Sequence, residues 1–186
     1  SLINDAKNRS NVTIIGYTPF ENFYANIIRK LEIGNNYIKP IGKSIEVYNT
    51  NTFVNVDNKK NTFFIGTYHN DNLMMDLKLK IESLGIKVFN GRYNNPKDLS
   101  EFLGVIHIPY AWSNLALFEA IQYGIIYFIP SLTFLKYLIN TNIDGLKKNI
   151  FFWSHPMVES KLDISEWYCK DFQDAFIYFD SWDDLK

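Results

Sequence analysis

The sequence has little of what several common classes of protein need. It contains one cysteine, Cys169, so no disulfide can form within the chain, and we interpret this thiol as inert. Three histidines and that cysteine show no metal-binding spacing, and we predict no metal site. A lone thiol favours a reducing compartment, so we expect a cytoplasmic location.

Long apolar runs and basic runs are also missing. The longest apolar stretch, residues 124–132, is far shorter than the roughly 20 residues of a membrane-spanning helix. The formal net charge is -1, with 19 Lys and Arg against 20 Asp and Glu. We therefore expect no transmembrane segment and no nucleic-acid partner, because nucleic-acid surfaces concentrate positive charge.

Apolar and aromatic residues are plentiful. The chain is 47% hydrophobic, 17% aromatic and 21% charged, which is typical of a soluble globular protein. Its 186 residues suffice for one well-buried domain, or for one domain and part of another. It begins with Ser1 and not Met, so we expect a processed, tagged or excised piece.

Short apolar runs alternate with helical patterns from residue 62 onward. Continuous apolar runs are typical of strands buried on both faces, and single helices between them predict parallel pairing. We therefore predict an α/β fold with a doubly wound, Rossmann-like parallel sheet. The predicted strands are 62–66, 87–89, 105–108 and 125–129, and the predicted helices are 71–84, 95–102 and 114–123.

The two ends of the chain are less regular. A β-branched run predicts a short strand at 12–15, and the three-four spacing of apolar residues predicts a helix at 20–31. Residues 43–60, rich in Asn and Thr, are interpreted as a connection. The tail is expected to pack back on the sheet, with a strand at 176–179 and a capped helix from Ser181.

The carboxyl end of the third strand carries the best candidate site. Ligands of open parallel sheets bind beyond the carboxyl ends of the strands. The two other candidate strand ends are at residues 66 and 91. Ser113 and Asn114 are good helix caps, so the next amides predict an anion site. Glu119 lies about 7.5 Å further along the helix, close to the separation of a pyrophosphate from its ribose. The alternative is that Asn114 is only a cap and Glu119 only a surface charge.

A family resemblance bears on that choice. Residues 105–124 and the following Ile129-Pro130-Ser131 resemble the second domain of glycosyltransferases of the two-Rossmann-domain (GT-B) type. The resemblance is to the nucleotide-sugar-binding domain of family-4-like members. In that family a strand ends in Pro-Ser, a turn opens a helix bearing Leu-Glu-Ala, and a Gly precedes the next strand. Residues 20–42 look like the end of the first domain and its linker. The resemblance implies that 1–42 end an acceptor-side domain and that 43–186 form the nucleotide-sugar-binding domain.

The resemblance also implies roles for single residues. It makes Glu119 the ligand of the donor ribose. Asn114, together with Ser113 and Leu115, would contact the phosphates and the sugar of the donor. Glu119 and Asn114 would be the catalytic residues. The nucleotide base would lie near residues 91–93. The remaining candidates for donor binding are Gly66, Thr67, His69, Arg92, Tyr93 and Tyr110.

Three hypotheses follow. The first is a metal-independent glycosyltransferase, or its donor-binding portion. It would use a UDP- or GDP-linked sugar as donor, without a further cofactor, and the sugar would be transferred to an unknown glycan, protein or lipid acceptor. The second is a noncatalytic GT-B-like binding module, because Ala111 stands where the family has its first glutamate. The third is a flavodoxin-like regulatory domain. His107 lies between two isoleucines and is interpreted as a core histidine.

Overall fold

A five-stranded parallel sheet forms the centre of the protein. The structure, a computed structural model, describes residues 5–6, 8–9, 11–16, 18–33, 60–66, 76–111, 114–143, 146 and 161–186. The strand order is β2-β1-β3-β4-β5, and every neighbouring pair is parallel. The prediction of an α/β fold with a parallel sheet is confirmed. The strands are β1 Phe63–Gly66, β2 Val88–Gly91, β3 Val105–Ile106, β4 Tyr127–Pro130 and β5 Phe176–Phe179.

Helices connect the strands and begin at polar caps. The side chains of Asp76, Asn114 and Ser131 each accept a hydrogen bond from an amide of the following first turn. Such caps satisfy donors that a helix start leaves open. The helices are α1 Pro19–Phe23, continued by a π-helical turn Tyr24–Ile28, then α2 Leu77–Ser83, α3 Leu115–Gln122 and α4 Leu132–Thr141, with short 3₁₀ turns at Pro96–Glu101, Leu162–Ile164 and Gln173–Ala175.

The core has two parts, one on each face of the sheet. Alternate residues of a strand point to opposite faces, so Phe64 packs in one cluster and Ile65 in the other. The cluster around Phe64 includes Leu117 of α3. The cluster around Ile65 includes Ile81 of α2 and Leu135 of α4. Helices therefore cover both faces of the sheet.

The order of the strands reverses between β1 and β3. From β1 the chain moves to β2 on one side, then crosses to β3 on the other side and continues outward to β4 and β5. Ligands of open α/β sheets bind in the crevice beyond the carboxyl ends of the strands at such a reversal. The fold thus directs attention to the ends of β1 and β3.

The amino-terminal predictions need correction. Residues 12–15 form no strand, and Gly16 makes only an isolated bridge. Val12 and Ile15 are exposed, so this β-branched run has no face to bury. The helix predicted at 20–31 ends at Ile28, and Lys30 then adopts a left-handed backbone with φ 52°. Phe20 nevertheless packs in the core with Ile65.

Several other elements differ in extent or type. The helix predicted at 95–102 is a 3₁₀ turn, Pro96–Glu101, which begins with a capping box formed by Asn95 and Asp98. Helix α4 was not predicted. The helix expected from Ser181 is a turn, in which the amide of Asp184 donates to Ser181 Oγ at 3.1 Å. The connection at 43–59 and the helix start at 71–75 lie outside the described residues. In the described part of the chain, no helix is long and apolar enough to cross a membrane.

Candidate functional site

The site predicted from the sequence lies where β3 leads into α3. After β3 the chain continues through the buried residues 107–109 to the half-buried Tyr110. Asn114 has an extended backbone, and its Oδ1 accepts a hydrogen bond from the amide of Ala116 at 3.1 Å. Its predicted role as the cap of α3 is confirmed. Ser113, a predicted partner in this turn, lies outside the described residues.

A carboxylate from the tail of the chain is bound at this helix start. Oε2 of Glu166 accepts a hydrogen bond from the backbone amide of Asn114 at 2.6 Å. The side chain of Glu166 is fully buried, with 0% exposure. The positive end of the helix dipole favours a negative charge here. The amide at the start of α3 is therefore already bonded to a carboxyl oxygen of the protein itself.

Residues 165–168, the covering segment, lie across the carboxyl ends of β3 and β4. The indole Nε1 of Trp167 donates to the carbonyl oxygen of Ala111 at 2.9 Å. The phenol of Tyr168 donates to the carbonyl oxygen of Pro130, also at 2.9 Å. Leu162 packs in the core of one face and Trp167 in that of the other, so the chain changes face at this edge.

His107 lies directly beneath the covering segment. Its ring is stacked on Trp167, with centroids 4.5 Å apart, and it also neighbours Tyr110 and Tyr127. The residue has 0% exposure, and burial lowers the pKa of its imidazole to about 3. Its interpretation as a core histidine is confirmed by this burial, and at neutral pH the ring carries no charge.

Three tyrosines and Glu119 lie close together at the same edge. Burial raises the pKa of Tyr93, and the charge of the half-buried Glu119 raises it further. Burial likewise raises the pKa of Tyr110 and of Tyr127, with a further contribution from Tyr93 to both. Tyr110 and Tyr127 both neighbour the ring of His107, and Tyr93 packs against the core cluster that contains Tyr127. Three of the predicted site residues, Tyr93, Tyr110 and Glu119, therefore interact electrostatically, because Tyr93 is affected by Glu119 and affects Tyr110.

The remaining predicted residues are placed as follows. Gly66 ends β1 and pairs in register with Gly91, so the ends of β1 and β2 lie side by side. Arg92 follows β2 and is exposed. Leu115 is the first residue of α3. Thr67 and His69 lie outside the described residues.

Sequence reasoning missed Glu166 and Trp167. Their partners Asn114 and Ala111 are 52 and 56 positions away in the chain, and no local pattern around residues 165–168 indicates that contact. In the described part of the chain, no group of three or more His, Cys, Asp or Glu side chains is placed to hold a metal ion.

Comparisons of the chain with protein-family models, with curated proteins and with solved structures found no match.

Proposed function

We propose that the chain is the donor-binding portion of a GT-B type glycosyltransferase, with residues 43–186 as its Rossmann-like nucleotide-sugar domain. The observation that carries this proposal is the grouping of Tyr93, Tyr110 and Glu119 at the carboxyl edge of the sheet. That edge includes the β1/β3 reversal, where nucleotides bind to doubly wound sheets. Residues 1–42 would then end the acceptor-side domain.

Glu119 is suited to hold a ribose. A half-buried carboxylate can accept hydrogen bonds from two neighbouring hydroxyls, and bonds to a charged acceptor are stronger than neutral ones. The phenol of Tyr93 stays protonated at neutral pH, because both burial and the charge of Glu119 raise its pKa. It can therefore donate a hydrogen bond while its ring offers a flat surface for a base. Tyr110 supplies a second half-buried ring at this edge.

The diphosphate would lie between the start of α3 and the ends of β1 and β2. The dipole of α3 and the amide of Leu115 would stabilise charge that develops on the departing diphosphate. Arg92 is an exposed cation at the neighbouring strand end and would add to this stabilisation. Residues Thr67, His69 and Ser113 remain proposed contacts. No metal ion is needed in this scheme, and the acceptor is an unidentified glycan, protein or lipid.

A noncatalytic GT-B-like binding module is the second candidate. Three observations favour it: first, Ala111 supplies no carboxylate where the family has a glutamate, and second, its carbonyl oxygen is bonded to Trp167. In addition, Glu166 already uses the amide of Asn114. Such a module would bind a nucleotide or another partner without transferring a sugar.

The strand order favours a third candidate. The order β2-β1-β3-β4-β5 is that of flavodoxin-like sheets, and the residues that the structure describes contain no strand at the outermost position of the Rossmann order, beyond β2. A flavodoxin-like domain would bind its ligand at the same reversal. It would not require Glu119 to recognise a ribose, so the role of Glu119 separates it from the first two candidates.

Calorimetric titration with UDP, GDP and their sugar conjugates tests the proposal. We expect one nucleotide to bind, and Glu119→Gln to weaken binding about tenfold, equivalent to about 1.4 kcal/mol. The matched control is Glu82→Gln, because Glu82 is exposed on α2 and distant from this edge in the chain. The proposal is wrong if the folded 186-residue chain binds no nucleotide, or if Glu119→Gln binds as the wild type does. Slow release of free sugar from the bound donor separates a transferase from a noncatalytic module.

A further inference from the structure

The side chain of Asn90, on β2, carries a buried donor for which the described part of the chain supplies no partner. Its nitrogen Nδ2 is shielded from solvent, and no atom of the described residues is placed to accept a hydrogen bond from it. Buried polar groups are nearly always hydrogen-bonded, because leaving a donor unpaired costs stability. The presence of Asn at this position therefore needs a reason other than packing.

Asn90 lies close to the carboxyl edge of the sheet, on the same face as Ile65. The two residues are partners in the parallel register of β1 and β2, and Ile65 packs in the core cluster that includes Ile81 of α2. Partners in a parallel pair point to the same face of the sheet. The next pair in the register is Gly66 with Gly91, so no side chain of β1 or β2 stands between Asn90 and the ends of these two strands.

A comparison with Gln122 shows that the location of Asn90 matters. Oε1 of Gln122 is also buried without a hydrogen-bond partner among the described residues, but Gln122 is the last residue of α3. It lies about 12 Å along the helix axis from Asn114, away from the carboxyl edge, at 1.5 Å per residue. Of these two atoms, only Nδ2 of Asn90 lies near the edge where ligands of parallel sheets bind.

We propose that Asn90 is a contact to the phosphates of the bound ligand, whose oxygens accept the hydrogen bond that Nδ2 can donate. This inference rests on the proposed function, which places the diphosphate of the donor next to the ends of β1 and β2. Arg92, two residues further along the chain, is exposed and adds a positive charge that favours an anionic acceptor over a neutral one. Asn90 thus helps to select ligands that carry a diphosphate.

The carboxamide can reach such a ligand by turning about its own bond. Asn90 is partly exposed, and the terminal torsion of an Asn side chain has broad energy wells. A turn of the carboxamide brings Nδ2 to the crevice without a movement of β2. Because Nδ2 gives up no hydrogen bond to the described residues in this turn, little energy opposes it.

The nearly isosteric variant Asn90→Leu tests this inference by calorimetric titration of the 186-residue chain with inorganic pyrophosphate, without metal. Leu keeps the branched shape of the side chain but cannot donate. We expect the affinity for pyrophosphate to fall at least about tenfold, because a hydrogen bond to a charged acceptor is lost. Gln122→Met is the matched control, since it removes the other buried amide, and its affinity should stay within about twofold of the wild type. Unchanged affinity in Asn90→Leu, or no binding of pyrophosphate by the wild type, overturns the inference.

Unfolding in urea separates a ligand contact from a structural role. Both Asn90→Leu and Gln122→Met replace an unpaired buried polar atom with an apolar one, so we expect the urea midpoint of each variant to equal or exceed that of the wild type. A lower midpoint for Asn90→Leu alone would mean that another part of the protein, or a bound water, holds the carboxamide. That result overturns the inference.

An NMR titration of the wild type with pyrophosphate shows whether the contact is direct. We expect a saturable shift of the side-chain NH₂ resonances of Asn90. The side-chain NH₂ resonances of Asn142, which is exposed after the end of α4, should not shift. The absence of a shift at Asn90, or equal shifts at both residues, overturns the inference.

The failure of this inference is distinguishable from the failure of the proposed function. Pyrophosphate has no ribose, so its binding does not depend on Glu119. If the wild type binds a nucleotide through Glu119 but Asn90→Leu keeps its affinity for pyrophosphate, the role of Asn90 is wrong and the proposed function stands. If pyrophosphate binding depends on Asn90 but no nucleotide binds, the site takes a phosphorylated ligand of another class and the proposed function is wrong.

Discussion

The imidazole of His107 lies stacked on the indole of Trp167, with ring centroids 4.5 Å apart and an interplanar angle of 27°. His107 follows the central strand β3, whereas Trp167 belongs to the covering segment near the end of the chain. Both side chains are almost fully buried, at 0% and 1% exposure. This stacked pair therefore joins the middle of the sheet to the segment that covers its carboxyl edge.

Trp167 is expected to be a major source of stability. Replacing it with Ala removes a large buried ring, and we expect the free energy of unfolding to fall by about 3–5 kcal/mol. Trp167→Phe keeps most of the ring but removes the donor to Ala111, so a smaller loss of about 1–2 kcal/mol is expected. Urea unfolding of the three proteins measures both effects. Equal stability of Trp167→Ala and the wild type would show that the covering segment does not pack as described.

His107 should make stability depend on pH. Its pKa is about 3 in the folded chain, against 6.5 for an unperturbed imidazole. Between these two values the unfolded state binds more protons than the folded state, so stability falls as the pH decreases from 6.5 towards 3. The loss is complete below the folded pKa and absent above the unfolded one.

The variant His107→Gln isolates this contribution. Carboxylates also titrate in this range, but they do so in both proteins and cancel in the comparison. We expect the variant's unfolding free energy, measured by denaturant titration between about pH 4 and 6, to change less steeply, by up to about 1.4 kcal/mol per pH unit. Identical slopes would mean that His107 takes up its proton equally in both states.

Asn114→Asp should be destabilising although Asp is an equally good cap. Asn and Asp rank together at helix starts, but a second carboxylate at residue 114 would face Glu166 across a single amide. We expect a loss of about 1–2 kcal/mol in unfolding free energy. Ser131→Asp is the control, because the Ser131 amide faces a backbone carbonyl, and a change within about 0.5 kcal/mol is expected there. Glu166→Gln should remove most of the penalty of Asn114→Asp, and failure of this rescue would contradict the assigned repulsion.

Cys169 should react only when the chain opens. The thiol is buried, and burial raises its pKa to about 11, so the reactive thiolate is scarce. We expect iodoacetamide at about pH 8 to modify the folded protein at least about a hundredfold more slowly than the urea-unfolded protein. Mass spectrometry of timed samples gives both rates. Similar rates would show that the region next to the covering segment opens readily.

The sheet could be predicted because its signals are local. Apolar runs such as 63–66 end at a glycine and are separated by helix-forming segments, so the alternation that predicts parallel strands can be recognised locally. The order of the strands in the sheet depends on distant contacts and was not predicted. The same kind of signal was misleading at 12–15, where the run has no partner strand. Helix α4 was missed because its β-branched and aromatic residues weaken the helical pattern.

The site could be predicted only in part. The topological rule for parallel sheets indicates the carboxyl edge from the ends of strands alone, and the local sequence correctly predicted Asn114 as the cap of α3. It gave no information on Glu166 and Trp167, which reach the same edge from the tail. Contacts between residues so far apart in sequence depend on the packing of the whole domain, and a single sequence contains no local pattern for them.

The position of the covering segment has a consequence for folding on the ribosome. Strand β4 emerges before β5, so its outer edge has no neighbouring strand until the segment and then β5 have been synthesised. At about 5–20 residues per second, the gap from residue 130 to residue 179 takes a few seconds or more. During that time the nascent sheet has an open edge prone to pairing with other chains. Ribosome stalling in this interval would therefore favour aggregation, whereas release of the chain from the ribosome lets β5 pair with β4 and close that edge.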